Sequence, residues 1–388
     1  MARNGDPSPF GVHLSGLRSL FPGYLVLEDG SVFPGVRFGA APADAGGEVV
    51  FTTSMTGYQE VLSDPSYRGQ IVVMAYPLIG NYGTSAEGWE AEGPHVAGFV
   101  VRDACPVPSH HGNERSLEDL LDASGVAGLA GVDTRRLVRH LRTNGLRRGV
   151  IVNEPSPAAV ARALAIPPTS AQDLVGQVSR STPTVLPGSG SRIALIDCGV
   201  KRGIVDALRR RECEIILLPH AVNAGEVSSF EPDAVLVSNG PGDPAVLTRT
   251  IETVRGLLGS VPLMGICLGH QILALALGGR THKMKFGHRG SNQPVFEAAN
   301  GRVMITTQNH GYTVDPDLPG AVEVTHLNLN DGTVEGIRHR ELPAWSVQFH
   351  PEGRPGPRDA EFLYDWFLGS LRRSGQPAVL MPSTAVPA

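Results

Sequence analysis

The segment Val261-Pro-Leu-Met-Gly-Ile-Cys-Leu-Gly-His-Gln-Ile-Leu-Ala-Leu-Ala-Leu-Gly-Gly279 combines a strand, a turn and a helix in one short stretch. Residues 261–266 form a short apolar run that predicts a buried strand. Residues 269–277 predict a helix, which the glycine pair after it terminates. Glycines on both sides of Cys267 allow a sharp turn between the two elements. A strand that leads directly into a helix indicates α/β architecture.

Three further strand patterns precede this segment. They lie at 192–197, 214–218 and 233–238, and a helix is predicted at 200–211. Strands that alternate with helices imply a parallel sheet covered on both faces. We therefore predict an open α/β domain with a parallel sheet over residues 192–373.

The N-terminal half, residues 1–180, has a different pattern. Asp29-Gly30 separates two apolar runs and predicts a hairpin turn. Further strands are predicted at 48–53 and 70–75, and a helix is predicted to begin at Asp133, a suitable N-cap. These elements predict a β-rich, mixed α/β domain.

Two segments show no periodicity. Residues 181–191 are rich in Ser, Pro and Gly and are predicted to be a linker. Residues 374–388 are rich in Pro and Ala and are predicted to be a disordered tail.

The composition argues against several classes of protein. Of 388 residues, 41% are hydrophobic and 18% charged, which is typical of a globular protein with two or three domains. The net charge of −5 argues against nucleic acid or an anionic membrane as the main partner. The longest apolar run is interrupted by His270 and Gln271, so it does not predict a membrane span. The chain also has no G-x-x-x-x-G-K-[ST] phosphate loop.

The cysteines and the N-terminus indicate the compartment. No signal-peptide pattern is visible, and the four cysteines form no C-x-x-C pair. We therefore expect a cytoplasmic protein with free thiols and without a bound metal.

Cys267 is the candidate nucleophile. A sharp strand-to-helix turn lifts a side chain clear of the backbone, as in the G-x-S-x-G elbow. The helix N-terminus favours a thiolate, and the N–H of Leu268 can point at an oxyanion. A lone cysteine is more often a buried structural residue. The flanking glycines and the strand–helix context favour the nucleophile.

A cysteine nucleophile needs a base that a third group orients. The strand predicted at 345–350 places Ser346, Gln348 and His350 on one face, with His350 at its end. Glu352 is two residues further on and is close enough to orient the imidazole. A single histidine near a strand end is usually a core or surface residue. A His-Pro-Glu triplet at the end of a core strand is a more specific signal of a catalytic base.

Two polar segments are candidate binding loops. Gly240 and Gly242 surround a proline after the strand at 233–238, and their amides could complete an oxyanion hole; an ordinary surface turn is equally consistent with this hexapeptide. Residues 308–312, Gln-Asn-His-Gly-Tyr, could hold an amino-acid head group, and here too a plain loop is the alternative.

The order of these elements is G-P-G, G-I-C-L-G-H-Q, Q-N-H-G and F-H-P-E, and it resembles that of the class I, or triad, glutamine amidotransferases. The residues around these motifs are similar to the small-chain family of carbamoyl-phosphate synthetases in particular. The similar segments are 284–288 and 355–357 in the C-terminal half, and 47–60, 64–67, 76–81 and 133–135 in the N-terminal half. Other amidotransferases of this class lack such an N-terminal domain, so the resemblance is specific.

The resemblance implies a function. Cys267 would be the nucleophile, His350 the base and Glu352 its orienter, and glutamine would be hydrolysed to glutamate and ammonia through a thioester. The residues implied to bind L-glutamine are Ser54, Gly240, Gly242, Leu268, Gln271, Asn309, Gly311 and Tyr312. Since Ser54 belongs to the N-terminal domain, the resemblance implies a site at the domain interface.

The resemblance also implies a partner. A large synthetase chain would receive the ammonia, in a heterodimer or a higher oligomer. That chain would make carbamoyl phosphate from ammonia, bicarbonate and ATP for arginine and pyrimidine biosynthesis. ATP and a divalent metal are expected only on the large chain, so no cofactor is expected on this one.

The chain departs from the family pattern at three places. Thr52 replaces the usual Asn, Tyr312 stands where Phe is common, and residues 109–115 differ from the usual Asn-Trp-Arg type. Two other functions are open from the residues alone: a cysteine peptidase or hydrolase on the same frame, and a catalytically inactive regulatory subunit. Ammonia release from free glutamine, assayed beside peptide cleavage, distinguishes a glutaminase from a peptidase. Labelling of Cys267 by a glutamine-like electrophile distinguishes an active enzyme from an inactive regulatory subunit.

Overall fold

The computed structural model describes Leu17, residues 21–40 and residues 44–371. The chain divides into two units, Met1–Thr169 and Ser170–Ala388, and each is described here by itself. The tail predicted at 374–388 and the extreme N-terminus lie outside the described residues. No helix among the described residues is long and apolar enough to cross a membrane.

The elements of the N-terminal unit are β1 (Pro22–Leu27), β2 (Val32–Gly39), β3 (Ala45–Thr52), α1 (Tyr58–Ser63), β4 (Gln70–Met74), β5 (Leu78–Ile79), β6 (Gly98–Val100), β7 (Asp103–Ala104), α2 (Leu117–Ala123), β8 (Ala127–Ala130), α3 (Thr134–Asn144), β9 (Arg147–Val152) and α4 (Pro157–Ala165). Seven of these strands form a closed barrel, in the order β1-β2-β8-β6-β4-β3-β9. The short strands β5 and β7 form a separate pair outside the barrel.

Local signals in the N-terminal sequence act as predicted. The turn at Asp29-Gly30 joins β1 to β2, with Gly30 at φ +83° and the Ser31 N–H donating to Asp29 Oδ1 at 2.9 Å. Asp133 caps α3, because its side chain accepts from the Arg136 N–H. The hairpin and the helix are thus confirmed.

The elements of the C-terminal unit are β10 (Thr184–Leu186), β11 (Arg192–Asp197), α5 (Arg202–Arg209), β12 (Glu214–Pro219), α6 (Ala224–Ser228), β13 (Ala234–Val237), α7 (Thr248–Leu257), β14 (Leu263–Ile266), α8 (Leu268–Ala276), β15 (Thr281–Glu297), β16 (Arg302–Val314), β17 (Val322–Asn328), β18 (Val334–His339), β19 (Ala344–Val347) and α9 (Phe362–Gly369). Its ten strands form one sheet, in the order β10-β12-β11-β13-β14-β19-β18-β16-β15-β17. The five strands from β12 to β19 in this order are parallel, and the strands beyond β19 are antiparallel.

Both faces of the parallel sheet are covered. Along β11, Ile193 and Leu195 pack in one core cluster with side chains of α5 and α9. Their neighbours Ala194 and Ile196 pack in a second cluster with side chains of α7 and α8. Because successive side chains of a strand point to opposite faces, an apolar run is what such a strand requires. The predicted parallel sheet with two covered faces is confirmed.

The structure differs from the sequence predictions in three places. The segment 181–191, predicted as a linker, contains the edge strand β10, which pairs antiparallel with β12 and whose Ser, Pro and Gly neighbours hide its short apolar pattern. The segment 308–312, considered as a loop, lies inside β16. The strand predicted to reach His350 ends at Val347, and a single bridge to Thr307 holds His350 instead.

Candidate active site

Cys267 lies at the turn between β14 and α8. Its backbone has φ 55° and ψ −104°, a conformation that residues other than glycine rarely adopt. A Cβ on Gly265 would lie 2.4 Å from the Gly269 carbonyl oxygen, and one on Gly269 would lie 2.1 Å from that of Val237. The two flanking glycines are therefore required by close backbone packing. The sharp turn predicted from the sequence is present.

The Cys267 side chain is buried against the start of α8 and against β16. Its Sγ donates to the Asn309 carbonyl oxygen at 3.6 Å, and its N–H donates to the Val347 carbonyl oxygen at 2.9 Å. The first N–H groups of an α-helix have no acceptor within the helix. Here those groups belong to Leu268 and Gly269, directly after Cys267, and N–H groups in such a position can stabilise an oxyanion.

His350 and Glu352 form a buried pair. Glu352 Oε1 accepts from His350 Nδ1 at 2.8 Å, and each residue is 2% exposed. Burial alone lowers the pKa of His350, but the Glu352 carboxylate and the Cys267 thiol raise that pKa to about 10. The second ring nitrogen, Nε2, makes no hydrogen bond of standard geometry within the described part of the chain. Nε2 is therefore the ring nitrogen available to exchange a proton with the Cys267 sulfur.

Lys201 is a functional residue that the sequence analysis missed. Its Nζ donates to Glu352 Oε1 at 2.8 Å and also to the Arg354 carbonyl oxygen, and the residue is 1% exposed. Burial raises the pKa of Glu352, but Lys201 and His350 hold it well below its usual range. Lys201 therefore keeps the orienting carboxylate ionised. The signal in the sequence was a lysine just after β11, at the carboxyl edge of the parallel strands where α/β proteins bind ligands.

The glycine loop after β13 lies against the start of α8. A Cβ on Gly240 would lie 2.1 Å from the Cys198 carbonyl oxygen and 2.8 Å from a methyl group of Leu268, so only glycine fits there. Gly242 has φ +92°, which also favours glycine. The backbone of this loop thus lies beside Leu268, the residue that follows Cys267.

Asn239 fixes the loop to the neighbouring strand. Its Oδ1 accepts from the Lys201 N–H at 3.1 Å, and its Nδ2 donates to the Gly199 carbonyl oxygen at 2.9 Å. These bonds connect the ends of β11 and β13. The lysine that pairs with Glu352 and the glycine loop are therefore held by one side chain.

The polar segment 308–312 is paired with β15, with Asn309 opposite Arg289 and His310 opposite His288. The polar residues of this segment suggested a loop, but its backbone pairs with β15 in the sheet. His310 Nδ1 donates to the Tyr312 carbonyl oxygen at 2.8 Å. The pairing of β15 with β16 is irregular between His310 and Tyr312 and again just before Gln308, as is common near active sites.

Gln271 connects α8 to two strands of the sheet. Its Nε2 donates to the Tyr312 carbonyl oxygen at 2.8 Å and to Gln348 Oε1 at 3.0 Å. The structure thus brings together, within the C-terminal unit, most of the residues proposed to hold glutamine. They are Gly240, Gly242, Leu268, Gln271, Asn309, Gly311 and Tyr312.

Ser54 lies in the N-terminal unit, directly after β3. Thr52 Oγ1 donates to Ser54 Oγ at 3.3 Å and accepts from the Ser54 N–H at the same distance. The hydroxyl of Thr52, where the family usually has Asn, thus contacts Ser54 directly. The contact of Ser54 with glutamine stays a prediction.

The unusual segment 109–115 is anchored on residues 81–84 of the same unit. The Ser109 N–H donates to the Asn81 carbonyl oxygen at 3.1 Å, and the Glu114 N–H donates to that of Thr84 at 2.9 Å. Backbone bonds hold this segment, and the ring of His110 also accepts from the Gly112 N–H at 3.1 Å.

Two family models match the chain. The model described as glutamine amidotransferase class-I matches residues 194–370, which include Cys267, His350 and Glu352. The model described as carbamoyl-phosphate synthase small chain, CPSase domain, matches residues 25–151. The fold and the site define the C-terminal unit as a class I glutamine amidotransferase domain.

Named relatives resemble the chain along most of their length. The carbamoyl phosphate synthase small chain of Bacillus caldolyticus is 53% identical over 354 residues, which cover 90% of this chain and 96% of that protein. That of Symbiobacterium thermophilum is 50% identical, with 90% and 98% covered. The pyrimidine-specific small chain of Bacillus subtilis is 48% identical, with 89% and 94% covered. The chain belongs to the carbamoyl-phosphate synthase small-chain family, as its sequence predicts.

Proposed function

We propose that this chain is the glutaminase subunit of a carbamoyl-phosphate synthase, with Cys267 as the nucleophile. The observation that carries the proposal is the meeting of three features in one buried site. A strained cysteine begins a helix, a histidine–glutamate pair lies beside it, and glycine backbone packs against the next residue. The similarity to named small chains supports the same function.

The first step is formation of a thioester. The raised pKa of His350 favours transfer of the thiol proton to the imidazole, which leaves a thiolate beside an imidazolium. The thiolate attacks the carboxamide carbon of glutamine, and the C–S bond forms as the carbonyl electrons move to oxygen. The Leu268 N–H and the backbone of the Gly240–Gly242 loop stabilise that oxyanion. His350 then protonates the amide nitrogen, the C–N bond breaks and ammonia leaves.

The second step is hydrolysis of the thioester. Water attacks the γ-glutamyl carbonyl carbon while His350, now neutral, accepts a proton from the water. The C–S bond breaks, glutamate is released and the thiolate is restored. Glu352 holds Nδ1 throughout, so the same nitrogen of His350 faces the reacting atoms in both steps.

We further propose that the ammonia passes to a large synthetase chain, in a heterodimer or a larger assembly in the cytoplasm. Ammonia released into neutral water is protonated and loses its nucleophilic lone pair, so direct transfer preserves its reactivity. On this proposal ATP, a divalent metal and bicarbonate are bound by the large chain, and the carbamoyl phosphate serves arginine and pyrimidine synthesis.

The test is replacement of the nucleophile in the complex with the large chain. We expect Cys267→Ala to lower glutamine-dependent carbamoyl phosphate synthesis by at least about 10³-fold. Synthesis from added ammonia should stay at the wild-type rate, because the large chain is unchanged. Cys105→Ala is the matched control, since this thiol lies in the N-terminal unit and is half-buried. Glutaminase activity that survives in Cys267→Ala would contradict the proposal.

A further inference from the structure

A second group of buried titratable side chains lies beside the strand that carries Asn309. His288, His310 and Glu335 each offer a nitrogen or oxygen atom, and these atoms lie within 4.8 Å of one another. All three side chains are buried, and Glu335 is fully so. None of them belongs to the group formed by Cys267, His350 and Glu352.

His288 lies between two carboxylates. Its Nε2 is 2.9 Å from Asp331 Oδ2, and its Nδ1 is 3.5 Å from Glu335 Oε1. The amide nitrogen of Asn328 is also 3.4 Å from His288 Nδ1. The two nearby carboxylates favour the imidazolium form of His288. Burial lowers the pKa of His288, but the two carboxylates raise it above its usual value.

Asn328 supports this charge arrangement. The Asn330 N–H donates to Asn328 Oδ1 at 2.9 Å, which fixes the orientation of the amide. Asn328 Nδ2 therefore donates to Glu335 Oε1, 2.9 Å away. Burial raises the pKa of Glu335 above its usual value, although His288 and the Asn328 amide act against that rise. Glu335 thus accepts from the Asn328 amide and lies beside His288.

One connection to the substrate region runs through His310. His288 and His310 are paired across β15 and β16, and their rings meet edge to face with centroids 5.1 Å apart. His310 donates to the Tyr312 carbonyl oxygen, which also accepts from Gln271. The charged cluster therefore supports the backbone that follows Asn309.

A second connection runs through the backbone of Glu335. Its carbonyl oxygen accepts from the Gln348 N–H at 2.8 Å, and the Gln348 side chain accepts from Gln271. Gln348 lies two residues before His350 on the same segment. The cluster thus contacts both the strand that holds the substrate and the segment that carries the base.

We propose that His288 and Glu335 are positioning residues for glutamine. The protonated His288, held between Asp331 and Glu335, fixes His310 and so keeps residues 309–312 in the conformation that binds substrate. This inference rests on the proposed glutaminase function and deepens it, since it makes substrate affinity depend on a proton that takes no part in the reaction.

The pH dependence follows from the groups around His288. These are Asp331 before β18, Glu335 on β18 and His310 on β16, and the pKa of His310 is held well below its usual value by burial and by the charge of His288. His310 therefore stays neutral. Because the pKa of His288 is raised, the cluster is intact below that pKa and is lost as the pH rises through it. Glutamine should bind more weakly on the alkaline side.

The experiment separates affinity from turnover. In the complex, we expect Glu335→Gln and His288→Gln each to raise the KM for glutamine roughly tenfold, or about 1.4 kcal/mol, with kcat within about twofold of wild type. Glu323→Gln is the matched control, because Glu323 forms a buried ion pair with Arg338 between the adjoining strands β17 and β18. Its KM should not change.

Calorimetric titration of L-glutamine into the complex carrying Cys267→Ser, from about pH 6 to about pH 9, reports affinity without turnover. We expect affinity to fall with rising pH, and this dependence to vanish when His288→Gln is added. This titration needs no Glu335 variant, so it tests the positioning role of His288 even if the Glu335 variant does not fold.

Three results would overturn the inference. They are an unchanged KM in both folded variants, an affinity for glutamine that does not vary with pH, and a stoichiometric metal ion that is lost in His288→Gln, which would make the cluster a metal site instead. The proposed function fails separately, only if glutaminase activity survives in Cys267→Ala.

Discussion

Lys201 sets the charge of the buried triad. Its ammonium and the Glu352 carboxylate are both almost fully buried, and each charge is stabilised there by the other. The pair leaves Glu352 ionised and able to hold His350. In the proposed mechanism, the nucleophile, the base and its orienting acid thus depend on a fourth side chain that takes no part in the bond changes.

Replacing Lys201 by Met should therefore affect both stability and activity. We expect the free energy of unfolding to fall by about 3 kcal/mol, because one partner of a buried ion pair is removed. The kcat/KM for glutamine should fall by about 10² or more, because Glu352 loses a group that keeps it ionised. Chemical denaturation and a glutaminase assay measure the two effects.

Lys285→Met is the control for that prediction, because Lys285 is exposed on β15. If Lys201→Met behaved like Lys285→Met in both assays, the structural role assigned to Lys201 would be wrong.

The pair of His350 and Glu352 also predicts a pH dependence of stability. The pKa of His350 is raised to about 10, so its contribution is complete below its unfolded pKa and is lost as the pH rises through about 10. The pKa of Glu352 is lowered, so its contribution is present above its unfolded pKa and is lost in acid. The difference in melting temperature between wild type and His350→Asn should be largest in the window between the two unfolded pKa values, from about pH 4.5 to about pH 6.5, and should shrink as the pH rises towards 10. A difference that does not change up to about pH 11 would contradict this reading.

At the scale of single elements, the turn at Cys267 depends on backbone contact. Gly269, in the first turn of α8, lies against the carbonyl group of Val237 on β13, and an added Cβ would lie 2.1 Å from that oxygen. Gly269→Ala should therefore displace α8 from the sheet, lower the free energy of unfolding by about 2 kcal/mol or more and abolish glutaminase activity. Denaturation curves and the ammonia assay measure both.

Gly320→Ala makes the same chemical change at a position where no atom lies within 4 Å of the added Cβ. It should leave stability within about 0.5 kcal/mol of wild type. Equal losses at the two glycines would show that backbone contact does not explain the turn.

At the scale of the whole molecule, the proposed transfer of ammonia predicts the source of nitrogen in the product. In the complex with the large chain, glutamine labelled with ¹⁵N in its amide should pass the label to carbamoyl phosphate even in excess unlabelled ammonium, because ammonia passed directly does not mix with the solvent. Mass spectrometry measures the label. Dilution of the label to the ratio in the medium would show that the ammonia is released first.

Much of the fold was predictable because its signals are local. The apolar run of β11 reports a strand buried on both faces, since it contributes side chains to two core clusters. The hairpin at Asp29-Gly30 and the capped helix at Asp133 depend on a few neighbouring residues. Local pattern was less informative where polar residues lie in a strand, as at 308–312, because their hydrogen-bond partners come from elsewhere in the chain.

The sequence by itself determined the family, the nucleophile turn and the parallel sheet, because motif order, glycine spacing and apolar periodicity are read along the chain. Tertiary structure alone decided which charges meet. Lys201 and Glu352 are 151 residues apart, and Asp331 and Glu335 reach His288 from the other side of β16. Ion pairs of this kind form when packing removes both partners from water. No single segment of the sequence therefore shows which residues pair or in which direction their pKa values shift.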